Sequence, residues 1–131
     1  MKCPLLVNKI REEHNLSILQ IDDTLMLAAR YYTQLQANLN TMNGHNQGPY
    51  ATNTNAQHGA SANVVIAFGG QLRWSAGNAD VGRRNPQEVV DAWMNSSEHR
   101  RYILSHEHQF IGMGTTFGGR WGAFHYLFLS N

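Results

Sequence analysis

The stretch "NPQEVVDAWMNSSEHRRYIL", residues 85–104, decides how the rest of the chain is read. Asn85 can cap a helix, Pro86 suits the first turn where no backbone N–H is needed, and Glu88 follows the cap at capping-box spacing. Val89, Val90, Trp93 and Met94 then fall on one face at helical period, which predicts an amphipathic helix with Trp93 on its buried side. Two serines interrupt it, and a shorter helix over residues 97–104 follows, with His99 near its start. A histidine there is either a polar residue at a helix start or a group facing a ligand. The residues alone leave both readings open.

Working outward, residues 5–14 place Leu5, Leu6, Lys9, Ile10 and Glu13 at helical spacing. Asp22 or Asp23 supplies the cap of a longer helix, with Leu25, Ala28, Ala29, Tyr32, Leu35 and Leu39 on one face. Residues 41–63, "TMNGHNQGPYATNTNAQHGASAN", lose all apolar period and read as a long loop, a length more often functional than accidental. Residues 64–68 read as a strand stopped by Gly69-Gly70, and residues 71–84 as a second loop. The end, "FIGMGTTFGGRWGAFHYLFLSN", reads as a hairpin. Its first arm spans 111–117, Gly118-Gly119 makes the turn, and 121–129 return with Phe124, Tyr126 and Phe128 alternating on one face. Strands with helices before and between them predict one layered α+β domain over residues 1–131.

Composition narrows the function classes. The 131 residues can bury a core, and 42% hydrophobic with 15% charged residues describes an ordered globular chain. A formal charge of +1 with scattered Lys and Arg gives no cationic face, which argues against nucleic acid as a partner. No apolar run approaches the ~20 residues of a membrane-spanning helix. Cys3 stands alone, so neither an internal disulfide nor a cysteine zinc site can form. The first residues, "MKCPLLVNKI", contain no secretory h-region and run almost straight into a helical pattern, as a chain trimmed of a leader would.

Seven histidines are many for this length. His14 reads as solvated surface, and His106 and His108, flanking Glu107, as an exposed loop rather than a metal pair. His125 points away from Phe124, Tyr126 and Phe128, and reads as a hydrogen-bonded sheet histidine. His45 and His58 in the long loop and His99 at a helix start remain as candidates for a shared site. No H-E-x-x-H, C-x-x-C or G-x-S-x-G accompanies them.

The residues then resemble a known family. "LVNKIREEHNLSILQIDDTLMLAARYY" is similar to the opening of the CAP superfamily, the cysteine-rich secretory, antigen 5 and pathogenesis-related proteins or SCP domains. That opening holds an N-x-x-R helix, a "gl-x-pL" turn and an "L-x-x-A-A" helix. "NPQEVVDAWMNSSEHRRYIL" resembles the bacterial "tpeevV-x-x-WmnSpgHr-x-nIl", and "IGMGTTFGGRWGAFHYLF" the "iGvG … g-x-yW-x-q-F" ending. Three motifs in order cover nearly the whole chain apart from the two loops.

The resemblance implies a three-layer α-β-α sandwich with a small, mainly antiparallel central sheet and a central cleft. Two histidines and two glutamates line the family cleft and can hold a divalent metal. The second histidine matches His99. "GHNQGPY" is similar to the plant "HSHGPY", which places the first at His45, with His58 the poorer match. The family "G-E-N" is placed at Ser61-Ala62-Asn63, so that Ala62 replaces its glutamate, and Ser96 stands where many members carry the other. Two imidazoles fall short of three or four zinc ligands, so zinc is expected to bind weakly, with His58 a possible third ligand. The implied protein is an extracellular or cell-envelope module, more a binder than an enzyme. Its cleft would offer His45, His99, Tyr50 and Trp74, with Arg73 beside them, to a small molecule, lipid or peptide. A metal-dependent hydrolase is the alternative.

Overall fold

A computed structural model of the chain describes residues 2–40, 60–70 and 75–131. Its elements run α1 (Lys2–Glu13), β1 (Gln20–Ile21), α2 (Asp23–Leu39), α3 (Ala60–Ala67), β2 (Ser75–Val81), α4 (Pro86–Met94), α5 (Ser97–Ile103), β3 (Phe110–Phe117) and β4 (Ala123–Ser130). The four strands form one sheet in the order β1-β3-β4-β2. β3 and β4 make the expected hairpin, β2 adds antiparallel to β4, and the short β1 pairs parallel with β3. The sheet is therefore mainly antiparallel.

β4 lies inside the sheet with helices over both faces, so all its residues are buried and its side chains alternate between two cores. On one face Tyr126 and Phe128 pack with Leu25, Ala28, Ala29 and Tyr32 of α2 and with Val64 and Val65 of α3. On the other, Leu127 and Leu129 join Ile111, Val7 of α1, Val89, Val90 and Trp93 of α4, and Ile103 of α5. Two apolar clusters with one sheet between them make the three-layer sandwich. α2 lies so close that a Cβ on Gly112 or Gly114 would overlap the helix backbone at Leu25–Met26 and Ala29–Arg30.

The N-terminal motif is a set of ties. Asn8 donates from Nδ2 to the Leu19 carbonyl (3.0 Å) and accepts from the Leu19 N–H (2.7 Å). Arg11, 1% exposed, donates to the carbonyls of Ser17 (2.8 Å), Ile103 (2.8 Å) and Ser105 (2.7 Å). Its cation thus meets the C-terminal end of α5, the negative end of that helix. The buried stripe of α1 is Cys3, Val7 and Arg11, whereas Leu5, expected on the core side, is 61% exposed. Both helix N-caps behave as expected: Asp22 Oδ1 accepts from the Leu25 N–H (2.9 Å), and Asn85 Oδ1 from the Gln87 N–H (2.8 Å).

Three expectations are corrected. Residues 64–67, expected as strand, close α3, because a short apolar run carries no period to separate helix from strand. The second loop contains β2, whose sequence "SAGNADV" has little strand propensity and is held by its register with β4. His108, expected as exposed loop, is 3% exposed; burial pushes its pKa below the usual 6.5, with a hydrogen bond to Asn131 opposing. β1 was not foreseen at all.

Candidate functional site

Four polar side chains of the sheet gather on one face. Asp80, His125 and Thr115 are register neighbours across β2, β4 and β3, so their side chains form a row on the side of α4 and α5. Asn78, two residues before Asp80, points to the same face. This row occupies the β2-end and hairpin-end of a face whose remainder is the apolar cluster around Trp93.

His125 is held at both ring nitrogens. Its Nε2 contacts the Arg83 carbonyl, which can only accept, so Nε2 carries the proton. In the neutral ring Nδ1 therefore accepts from the Thr115 hydroxyl, at 2.8 Å. The expected sheet histidine is thus confirmed, with its tautomer set by a backbone carbonyl. Asp80 Oδ1 pairs with Arg83 Nη1 at 2.6 Å, while Asp80 Oδ2 is buried with no hydrogen bond to any described residue. Burial pushes the Asp80 carboxyl above its usual range; Arg83, His125 and His99 pull it back without cancelling that rise.

His99 stands in the first turn of α5 and is half-buried. Its backbone carbonyl accepts from Asn78 Nδ2 at 3.3 Å, and its ring is near enough to act on the charge of Asp80. Asn78 is fully buried, and its Oδ1 has no partner among the described residues. Two acceptors, Asn78 Oδ1 and Asp80 Oδ2, therefore lie buried beside the His99 turn without a donor. Most buried polar atoms in proteins are satisfied, so the pair marks a place where a donor or cation is favoured. Trp93 supports the same strand from below: its Nε1 donates to the Ala79 carbonyl at 3.1 Å.

Of the residues expected in the site, His99 is placed here; His45, Tyr50, His58, Arg73 and Trp74 lie outside the described residues. Ala62 belongs to α3, and its side chain lies outside those the structure describes. Asn78 stands beside His99, within "AGN" at 76–78, a segment expected inside the second loop over residues 71–84. Asp80 was missed for the same reason. Ser96 caps α5 by position, without a side-chain hydrogen bond.

The family's divalent metal can be tested against this donor set. Both nitrogens of His125 are engaged, leaving the His99 imidazole and Asp80 Oδ2 as ligands. Among the described residues no three His, Cys, Asp or Glu side chains converge as a metal site would require. These residues alone do not fit a zinc ion, and no chemical step is derived through one.

Comparison with known proteins follows from this geometry. A family model described as CAP, the cysteine-rich secretory protein family, matches residues 5–130. The chain is similar to the uncharacterized protein YkwD of Bacillus subtilis, with 33% identity over 109 residues, 83% of this chain. It spans 39% of that relative's length. Among solved structures it is similar to an outer surface protein of Borrelia burgdorferi, with TM-score 0.80, 19% identity, and 98% and 88% of the two chains covered. An extracellular SCP-domain protein of Bacillus anthracis gives TM-score 0.78, 18% identity, and 99% and 39% coverage. At such identities these two structures speak for the fold alone.

Proposed function

This chain belongs to the cysteine-rich secretory protein (CAP) family, and from that premise we propose that it is a ligand-binding module whose cleft opens beside His99. The observation that carries the reading is the pair of buried acceptors, Asn78 Oδ1 and Asp80 Oδ2, next to the half-buried His99 turn. Such a site favours a ligand that brings N–H or O–H groups, as a peptide or a hydroxyl-rich cell-envelope component does. His45, Tyr50 and Trp74 would complete the cleft from the two loops, with Arg73 beside them and His58 as a further imidazole. The module would work outside the cell or in its envelope, a setting in keeping with the descriptions of its structural relatives. No described helix is long and apolar enough to cross a membrane.

Zinc is proposed as an optional and weak occupant, since Ala62 stands at the family glutamate position and two imidazoles fall short of a zinc ligand set. A hydrolase would need a third ligand or a general base, and Asp80 is the sole nearby carboxylate in the described row.

The test is stabilisation. Soluble cell-wall fragments, short peptides and divalent metals are added to the wild type, to His99→Ala and to Asn78→Leu, and thermal unfolding is followed. A ligand at ~100 times its dissociation constant adds about 2.7 kcal/mol to the native state. The expected result is a ligand that stabilises the wild type and neither variant. Equal stabilisation of all three proteins would sink the reading. Hydrolysis that appears with zinc and vanishes in His45→Ala and His99→Ala would put the enzyme in its place.

A further inference from the structure

The sheet has a second, unrelated feature at its β3 edge. β1 pairs with β3 only at Phe110 and Ile111, so on the side away from β4 residues 113–117 of β3 have no neighbouring strand among the described residues. In an antiparallel ladder, residues alternate between exchanging both backbone bonds with the partner and turning both groups away. The Met113 N–H points away from β4, reaching Met26 Sδ at 3.1 Å. On β4's other side the Ala123 carbonyl accepts from the Gly82 N–H at 2.8 Å, so Ala123 also turns away from its register partner Phe117. By this alternation the Met113 carbonyl, both backbone groups of Thr115 and the Phe117 N–H face outward, and none has a partner among the described residues.

Exposed edges are usually blunted by charge, proline or a covering element. This one, "MGTTF", carries neither charge nor proline. It lies in a recess of about 390 Å³, walled by Cys3 and Pro86 on one side and by Met26 and Arg30 on the other. The recess continues past Thr115 into an apolar surface where Tyr31, Phe68 and the 63% exposed Phe117 gather. Arg30 borders both parts, no carboxylate lines either, and Arg30 has no ion-pair partner among the described residues.

We propose that the outer edge of β3 at 113–117 binds an extended peptide as an added strand, with an acidic side chain of the peptide on Arg30. The recess runs between α2 on one side and the starts of α1 and α4 on the other, and Arg30 gives it a cationic wall. Backbone bonds supply the pairing, Arg30 selects the charge, and the surface around Phe117 takes an apolar side chain of the guest. At ~3.3 Å per residue, a guest of about five residues matches the open edge. The site is separate from the His99 cleft and does not depend on that reading.

The experiment uses three capped seven-residue probes of alternating Val and Thr: one with a central Glu, one with a central Lys, and the Glu peptide with alternate backbone N–H groups methylated. Amide exchange is read residue by residue by NMR on the whole chain. The Glu peptide is expected to slow exchange at Thr115 and Phe117 while Gly114 and Thr116, already in the ladder, stay unchanged. The Lys peptide should bind about tenfold more weakly, as loss of a charge-assisted hydrogen bond implies, and Arg30→Glu should reverse that order. The methylated peptide should not bind. Unchanged exchange at Thr115 and Phe117 in the wild type with every probe would overturn the proposal. So would equal binding of the methylated peptide, which would mean apolar adhesion alone. Protection that rises with protein concentration without peptide would assign the edge to a second copy instead.

Discussion

The two faces of the central sheet differ although the same strands build both. On the side of α2 and α3, glycines at 112 and 114 let a helix backbone rest on the sheet, and Tyr32 meets Tyr126 edge to face at 5.1 Å. On the side of α4 and α5, half the face is an equally apolar cluster and the other half is the row Asn78, Asp80, His125 and Thr115. On one face α2 rests directly on β3 at Gly112 and Gly114. The other is kept apart by Trp93 and α5, and the polar atoms collect where that separation ends. The contrast follows from unequal packing of the two sides of one sheet.

The largest expected effect breaks the support of the open side. Trp93 is 1% exposed, and Trp93→Ala should lower unfolding free energy by about 3–5 kcal/mol in a denaturant titration. A loss below about 1 kcal/mol would show that α4 does not hold the polar face apart. Next comes the α2 side: Gly114→Ala should cost about 1–3 kcal/mol or more, because the added methyl meets helix backbone that cannot rotate away. If that variant were as stable as the wild type, the contrast between the faces would lose its basis. His125→Phe should cost roughly 1–3 kcal/mol by leaving the Arg83 carbonyl and Thr115 hydroxyl unpaired, with the α2 face unaffected.

Smaller effects concern pH. His108 is held neutral by burial, so its folded pKa lies below 6.5 while the unfolded chain titrates near that value. The unfolded state binds the proton first as pH falls, and stability should drop below about pH 6.5. His108→Gln should flatten that limb in denaturant midpoints measured from pH 7.5 to 5; an unchanged slope would mean that another group titrates there. Asp80 runs the opposite way. Its raised pKa makes the folded state hold its proton longer, so stability declines as pH rises through that pKa, and Asp80→Asn should remove the decline. With the half-exposed Arg83 as its ion-pair partner, the net change at neutral pH should stay within about 1 kcal/mol.

Legibility followed the range of the interactions. Asn85, Pro86 and Glu88 announced α4 because a helix start is made by residues within one turn of each other. Asp22 announced α2 in the same way, and the alternation of Phe124, Tyr126 and Phe128 announced β4. Residues 64–68 misled because five apolar side chains in a row fit either element. β2 was hidden because its small and polar residues become a strand by pairing with β4, not by preference. The site was hidden with it: Asn78 and Asp80 looked like loop polar groups until register placed them beside His125 and under His99.

The sequence alone was enough for the family, the helix starts, the hairpin and the position of His99, since these rest on short spacings and a recurring order of motifs. The tertiary structure decided which face each strand residue takes, that Asn78 stands beside His99, and that β3 keeps an open edge among the described residues. Those outcomes depend on pairing between segments far apart in the chain. A shift of one residue in that pairing would turn every side chain of β2 to the other face.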